Sequence, residues 1–263
     1  MRYAVAAIFT CGLVVPAWAA GPAEMLARAR HLYNQGLYDA ALEAAAAARR
    51  QPQLADTADL VAARIYLERF RQTAAISDLD DARLRLRAVT PAALAPRDRL
   101  ELIVGLAESL YLEGAFGASV ALFDSVAARS GEIGPATRDR LLDWWANGLD
   151  REAQTRPAGD RAAFYRQIHT RMQDELQRDS GSTVAVYWLA AAARGMGDAQ
   201  AAWDAVMAGW VRAPFATDRG VALRADLDRL MTTALIAERA RATGLAVELV
   251  KGEWERFRER WTK

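Results

Sequence analysis

The stretch ARHLYNQGLYDAALEAAAAA, residues 29–48, decides the fold. It places apolar residues before a single glycine, an aromatic residue just after it, and alanines every three or four positions beyond. This order predicts two antiparallel helices joined by a tight turn, because glycine closes a helix in the left-handed conformation and alanine lets two helix backbones approach closely. The positions that carry the pattern are Ala29, Leu32, Gly36, Tyr38, Ala41, Ala45 and Ala48.

The same pattern recurs twice along the chain. Residues 107–126 read AESLYLEGAFGASVALFDSV, and residues 190–209 read AAAARGMGDAQAAWDAVMAG. Their turn glycines are Gly114 and Gly197, which lie 78 and 83 residues after the preceding turn glycine. Each interval has room for one further helix pair, so the spacing predicts an array of pairs with a mean length near 40 residues.

Two more degenerate helix pairs fit these intervals. In the first, Ala63 and Tyr66 fit a first helix, and the second helix fits only after an insertion of about seven residues around 71–78. The other pair is predicted at about 136–153 and 159–179.

The repeated segments resemble the tetratricopeptide repeat family, whose small, large apolar, glycine, aromatic and small residues have this spacing. The resemblance covers about residues 22–214. It implies an all-α fold, a right-handed α-solenoid of antiparallel helix pairs, and we assign residues 20–214 to it. The repeats are longer than the 34 residues typical of the family, which leaves another kind of α-solenoid open.

Residues 215–263 are predicted to form a helical cap, with one long helix to about residue 242 and a shorter one to Trp261. On the shorter helix Val250, Trp254, Phe257 and Trp261 form one apolar stripe against a charged outer side. Such a helix would cover the stacking face of the last repeat. A membrane-surface helix is the alternative, but its mixed Glu and Arg residues argue against attraction to anionic lipid.

Residues 1–19 predict a signal peptide, and therefore an exported protein that is periplasmic or secreted. Arg2 precedes an apolar run from Ala4 to Val15, and small residues at 17 and 19 suit cleavage after Ala19. An uncleaved anchor is the alternative, although the run is shorter than the roughly 20 residues of a membrane span. Cys11 would leave with this segment, so the mature chain would have neither a cysteine nor an integral membrane span.

The charge balance points away from nucleic acid. The chain has 34 basic and 33 acidic residues, and removal of Arg2 with the leader leaves 33 of each. The two signs are interspersed, whereas nucleic-acid-binding chains cluster their positive charge.

No catalytic or cofactor-binding motif appears in the sequence, so we predict neither an enzyme nor a cofactor or metal. There is no phosphate loop, dinucleotide fingerprint, nucleophile elbow or zinc-binding pair, and the only histidines, His31 and His169, fall in different repeats. Tryptophan is frequent, and we expect most of it to bridge neighbouring repeats. One of the adjacent Trp144 and Trp145 is the residue we expect to be exposed, since they point about 100° apart on a helix.

Tetratricopeptide arrays use the inner faces of their first helices as a concave groove for peptides or protein segments. The resemblance therefore implies partner-binding positions at Arg30, Tyr33, Asn34, Arg64, Glu108, Tyr111, Tyr187 and Arg194. Arg30 and Asn34 partly resemble the residues that clamp a terminal carboxylate in chaperone-binding members. Glu68 and Leu112 break that resemblance, because they stand where basic or amide residues are expected.

We accordingly expect a non-enzymatic scaffold or adaptor of the cell envelope that binds a protein or peptide partner. An envelope enzyme or a carbohydrate-binding protein on an α-solenoid is the alternative, and an accessory subunit of an envelope assembly is another. A cleft that combines an exposed Trp144 or Trp145 with two carboxylates about 5–10 Å apart would favour an enzyme. Oligomeric state is not predicted.

Overall fold

The computed structural model describes residues 21–127, 129, 135–216 and 218–262. Within these ranges the chain forms helices and no strand, so the all-α prediction is confirmed. The predicted signal peptide, residues 1–19, lies outside the described residues. The α-helices are α1 (Pro22–Asn34), α2 (Tyr38–Arg49), α3 (Ala55–Thr73), α4 (Ile76–Ala88), α5 (Pro96–Leu112), α6 (Phe116–Ala127), α7 (Pro135–Gln154), α8 (Ala158–Arg178), α9 (Thr183–Gly195), α10 (Ala199–Arg212), α11 (Val221–Leu230), α12 (Ile236–Thr243) and α13 (Val247–Trp261).

The helices pack as neighbouring pairs, from α1 with α2 to α9 with α10. The first helices of successive pairs also touch one another: α1 contacts α3, α3 contacts α5, α5 contacts α7, and α7 contacts α9. These first helices therefore form a continuous row through the molecule. That row carries the cavities described below.

The three predicted glycine turns are confirmed and share one geometry. Gly36, Gly114 and Gly197 have φ angles of 75°, 84° and 84°, in the left-handed region that glycine tolerates best. In each turn the residue after the glycine donates its N–H to the carbonyl five residues earlier, as Leu37 does to Leu32 at 3.0 Å. This closure satisfies carbonyl groups that the end of the first helix leaves free.

The degenerate pairs are present, but the second differs from the prediction in one respect. The seven-residue insertion expected around 71–78 is not a loop. Helix α3 instead continues to Thr73, and the chain turns at Ala74, whose φ is 56°. Helices α7 and α8 agree with the predicted 136–153 and 159–179 to within one residue at each end.

Alanine side chains fill the seam between α1, α2 and α3. Ala29, Ala41 and Ala48 are completely buried there, which confirms the close approach that the repeat pattern predicts. Ala44, which the repeat register places away from this seam, is partly buried against the same cluster. Ala46 of α2, by contrast, is exposed.

The C-terminal residues form the expected long and short helices. Helix α11, a π-helical turn at Met231–Leu235 and α12 run without a break, and α13 packs against α12 and α10. Val250 and Trp254 of the predicted stripe are buried, and Trp254 donates its indole N–H to Asp228 at 2.8 Å. The stripe is covered only in part, because Trp261 at its end is 47% exposed.

No helix among the described residues has both the length and the apolar composition required to cross a membrane.

Candidate functional site

Four first helices enclose a cavity of about 590 Å³, which we call the first cavity. Helices α1, α3, α5 and α7 supply nearly all of its wall, and α6 adds two apolar side chains. The apolar residues of the wall are Val61, Leu100, Val104, Phe123, Val126, Leu141 and Trp144. The polar and charged residues are Arg30, Tyr33, Asn34, Arg64, Arg97, Asp98, Glu101, Glu108, Thr137 and Arg140.

Five of the eight predicted groove residues come together at this cavity. They derive from three different repeats: Arg30, Tyr33 and Asn34 from α1, Arg64 from α3 and Glu108 from α5. Residues up to 78 positions apart in the chain therefore share one wall. The contact of α1 with α3 and of α3 with α5 is what brings them together.

Tyr111 does not line the first cavity. Its ring packs edge-on against Phe116, with centroids 5.3 Å apart, and against Trp144, at 4.8 Å. Tyr33 makes the equivalent contact within its own repeat, where its ring lies 6.1 Å from that of Tyr38. Both tyrosines are thus half-buried packing residues of a helix turn, and only Tyr33 also faces the cavity.

Tyr187 and Arg194 lie in a second cavity, of about 920 Å³, between α7, α8, α9 and α12. Arg194 pairs with Glu238 of α12 at 2.9 Å. Tyr165, in the same wall, donates its hydroxyl to Asp150 at 2.8 Å. Burial is the main cause that raises the pKa of Tyr165 to about 12, and this hydrogen bond is the second. Seven of the eight predicted groove residues are therefore divided between two cavities along the row of first helices, and Tyr111 lines neither.

Ion pairs neutralise most of the charge around the first cavity. Two of these ion pairs join different helices, and the other two join successive turns of one helix. The pairs are Arg30 with Asp98 at 3.1 Å, Arg64 with Glu101 at 3.6 Å, Arg97 with Glu101 at 3.8 Å, and Arg71 with Glu68 at 2.8 Å beside the cavity.

Burial perturbs the titration of three neighbouring side chains. It raises the pKa of Glu108, although Arg64 and two other guanidinium groups oppose the shift. Burial likewise raises the pKa of Tyr33, again against the effect of Arg64. Burial acts to lower the pKa of Arg64, but attraction to Glu108, Tyr33 and Glu101 outweighs it, so the pKa of Arg64 is raised.

The tryptophan pair does not form an exposed platform. Trp144 is 9% exposed and Trp145 is 1% exposed, so the expectation that one of them faces solvent is wrong. Both bear a guanidinium group over the ring: Arg71 lies 5.1 Å from the centroid of Trp144, and Arg171 lies 4.6 Å from that of Trp145. The two rings point in different directions, but each is packed within the helix array.

Sequence reasoning missed the contribution of α7 to the first cavity. Helix α7 belongs to a degenerate pair without a turn glycine, so its inner face could not be assigned by the repeat register. The signal was the spacing of Arg140 and Trp144, four residues apart and hence on one helix face. Asp98 and Glu101 were also missed; Glu101 lies two turns before Glu108 on the same face of α5.

In the described part of the chain, no group of three or more His, Cys, Asp or Glu side chains is arranged to hold a metal ion. His31 is exposed and its Nε2 lies 3.0 Å from the side-chain nitrogen of Gln35. No protein-family model matches the chain, and no curated protein matches its sequence.

Proposed function

We propose that this chain is a non-enzymatic adaptor of the cell envelope that holds a segment of a partner protein in the first cavity. Its proposed fold is a right-handed α-solenoid of tetratricopeptide type. The protein is proposed to be exported, either to the periplasm or out of the cell. The convergence of Arg30, Tyr33, Asn34, Arg64 and Glu108 on one cavity is the observation that carries the proposal. The repeat register predicts these residues from the sequence alone, without any information about the cavity.

The composition of the cavity wall supports binding of a peptide segment. Val104 is partly exposed and offers apolar surface to a side chain of the partner, while the ion-paired rim restricts the orientation in which the segment enters. Ligand sites commonly combine apolar surface with polar groups held in fixed positions, and in this wall the polar and charged residues outnumber the apolar ones. The volume of about 590 Å³ falls within the usual range of roughly 300–1,000 Å³ for such sites.

The arrangement of carboxylates gives an enzyme less support. Glu101 and Glu108 lie in the same wall as Trp144, but Glu101 is paired with Arg64 and the indole ring is covered by Arg71. A two-carboxylate hydrolase requires two acids that reach one substrate bond. Glu101 and Glu108 are seven residues apart on α5, a rise of about 10 Å, and one of them is already neutralised by an ion pair.

Site-specific photocrosslinking tests the proposal. A benzoylphenylalanine placed at Asn34 or at Thr137 would lie on the exposed rim, on opposite sides of the cavity. Controls at Ala46 and Arg87 lie on exposed positions of second helices. In cells that export the chain, we expect both rim positions to crosslink to one and the same protein. Equal crosslinking from the controls, or none from the rim, would contradict the proposal.

Export has its own test. Intact-mass measurement of the chain recovered from outside the cytoplasm should give a mature N-terminus at Ala20. A soluble cytoplasmic species that retains Met1 would contradict export.

A further inference from the structure

Glu108 is the exception among the acidic residues of the first cavity. Asp98 and Glu101 are ion-paired, whereas only burial and longer-range charges act on Glu108, with no hydrogen bond or ion pair to a described residue. Its side chain is half-buried and borders the cavity. A buried carboxylate without a partner costs free energy, and a donor group that enters the cavity would remove that cost.

The surroundings of Glu108 restrict the chemistry of such a donor. An ionised carboxylate only accepts hydrogen bonds, so the bound group must carry N–H or O–H donors. One turn before Glu108 on α5, the partly exposed Val104 supplies apolar surface to the cavity. Arg140 of α7 also lines the cavity, is exposed and has no ion pair to a described residue. Its positive charge disfavours a bare cation and favours a ligand that also carries a carboxylate.

We propose that Glu108 binds an ammonium group of the partner segment, with the neighbouring apolar side chain packed on Val104 and a carboxylate facing Arg140. This inference rests on the proposed function and names what the cavity recognises. The ammonium belongs either to the N-terminus of a chain or to a lysine side chain. The positive and negative groups of the ligand then complement Glu108 and Arg140, the two charged residues of the wall that have no ion pair to a described residue.

Calorimetric titration with three peptides tests the inference. The probes are Leu-Ala-Glu with a free amine, the same peptide N-acetylated, and N-acetyl-Lys-Leu-Glu. We expect at least one ammonium-bearing peptide to bind about 10-fold or more tightly than acetylated Leu-Ala-Glu, because a hydrogen bond between charged groups is stronger than one between neutral groups. Whether the first or the third peptide binds more tightly identifies the source of the ammonium.

The matched variants are Glu108→Gln and Glu43→Gln. Glutamine keeps the shape of Glu108 and removes its charge, so the preference for ammonium should fall to within about twofold. Glu43 is exposed on α2, away from the cavity, and its variant should retain the full preference. If Glu108→Gln fails to fold, the comparison of the two ammonium-bearing peptides with acetylated Leu-Ala-Glu on the parent chain still decides.

Three results would overturn the inference: no binding of any peptide, equal binding of all three peptides, or an unchanged preference in Glu108→Gln. Crosslinking from Asn34 and Thr137 separates this failure from that of the proposed function. A partner crosslinked at both rim positions without any ammonium preference leaves the adaptor in place and removes only the role of Glu108.

Discussion

The guanidinium group of Arg71 lies over the indole ring of Trp144, with its Cζ atom 5.1 Å from the ring centroid. The contact joins α3 to α7, although α5 lies between them in the chain. Arg71 is also paired with Glu68 one turn earlier, which fixes the position of the guanidinium group. The side chain thus covers the tryptophan at the edge of the first cavity.

Replacing Arg71 with methionine should lower the free energy of unfolding by about 0.5–1 kcal/mol, because the cation–π contact is lost while an apolar stem remains. Urea denaturation measures the change. Arg87→Met is the control, since Arg87 is exposed on α4, and it should stay within about 0.5 kcal/mol of the parent. Equal losses in the two variants would show that the contact with Trp144 does not contribute.

Alanine should have opposite effects on stability at Gly114, which lies in a left-handed turn, and at Gly159, which lies in a helix. Gly114→Ala places a Cβ atom in a residue with φ of 84° and should destabilise the chain by roughly 1–2 kcal/mol. Gly159→Ala lies in the first turn of α8 and should stabilise it by about 0.4–1 kcal/mol, because the unfolded chain loses freedom. An added Cβ meets no atom within 4 Å at either site, so backbone conformation alone separates the two thermal melts. A stabilising Gly114→Ala would contradict the assigned turn.

Overpacking tests the alanine seam. Ala41 is completely buried between helices, so Ala41→Leu should destabilise the chain by about 1–3 kcal/mol. Ala46→Leu, on the exposed face of the same helix, should alter stability by no more than ~0.5 kcal/mol. Ala44 is unsuitable as the control, because it is partly buried. Identical denaturation midpoints for the two leucine variants would refute the packing of α2.

The C-terminal helix offers two tryptophans with different surroundings. Trp254 is buried, lies 5.1 Å from the ring of Trp210 and donates to Asp228, so Trp254→Ala should cost about 3–5 kcal/mol. Trp261 is half-exposed, and Trp261→Ala should cost less than about 1 kcal/mol. Chemical denaturation followed by circular dichroism measures both. A small effect of Trp254→Ala would mean that α13 does not cover the end of the array as proposed.

Titration of Glu108 predicts a pH dependence of stability. Its pKa in the folded chain lies above the ordinary value of 4.5, so between the two values the folded state binds a proton that the unfolded state lacks. The stability associated with this group is complete below about pH 4.5 and is lost as pH rises through the folded pKa. Glu108→Gln has no such titration, so its unfolding free energy relative to the parent should increase with pH across this window. Urea denaturation at pH 4.5, 5.5 and 7 measures it, and a difference that is constant with pH would contradict the burial of Glu108.

Much of the fold follows from spacing, and the limits of the sequence have physical causes. The turns at Gly36, Gly114 and Gly197 can be predicted from the sequence, because few other residues adopt a positive φ without strain. The turn at Ala74 carries no such signal, since alanine rarely takes this conformation. The sequence therefore predicts an insertion around 71–78, where α3 in fact continues to Thr73. Periodicity defines which face of α7 is apolar, but not that Arg71 would cover Trp144.

The candidate site was partly accessible to sequence reasoning. The register found Arg30, Arg64 and Glu108, because equivalent positions of successive first helices face the same side. It gave no means to separate one cavity from another, so Tyr187 and Arg194 were assigned to the same groove. The ion pair of Glu101 with Arg64 depends on side-chain conformations that no residue pattern encodes.

The closing hydrogen bonds at Gly36, Gly114 and Gly197 recur at every second helix pair, whereas the pairs between them turn by other means. The exchangeable module of this chain is consequently four helices, about 80 residues, and not a single hairpin. Duplication or loss of such a module would connect the chain at equivalent glycine turns. The closing hydrogen bond at each of these turns would be kept. The row of first helices can thus be lengthened or shortened in steps of one module without a new kind of turn.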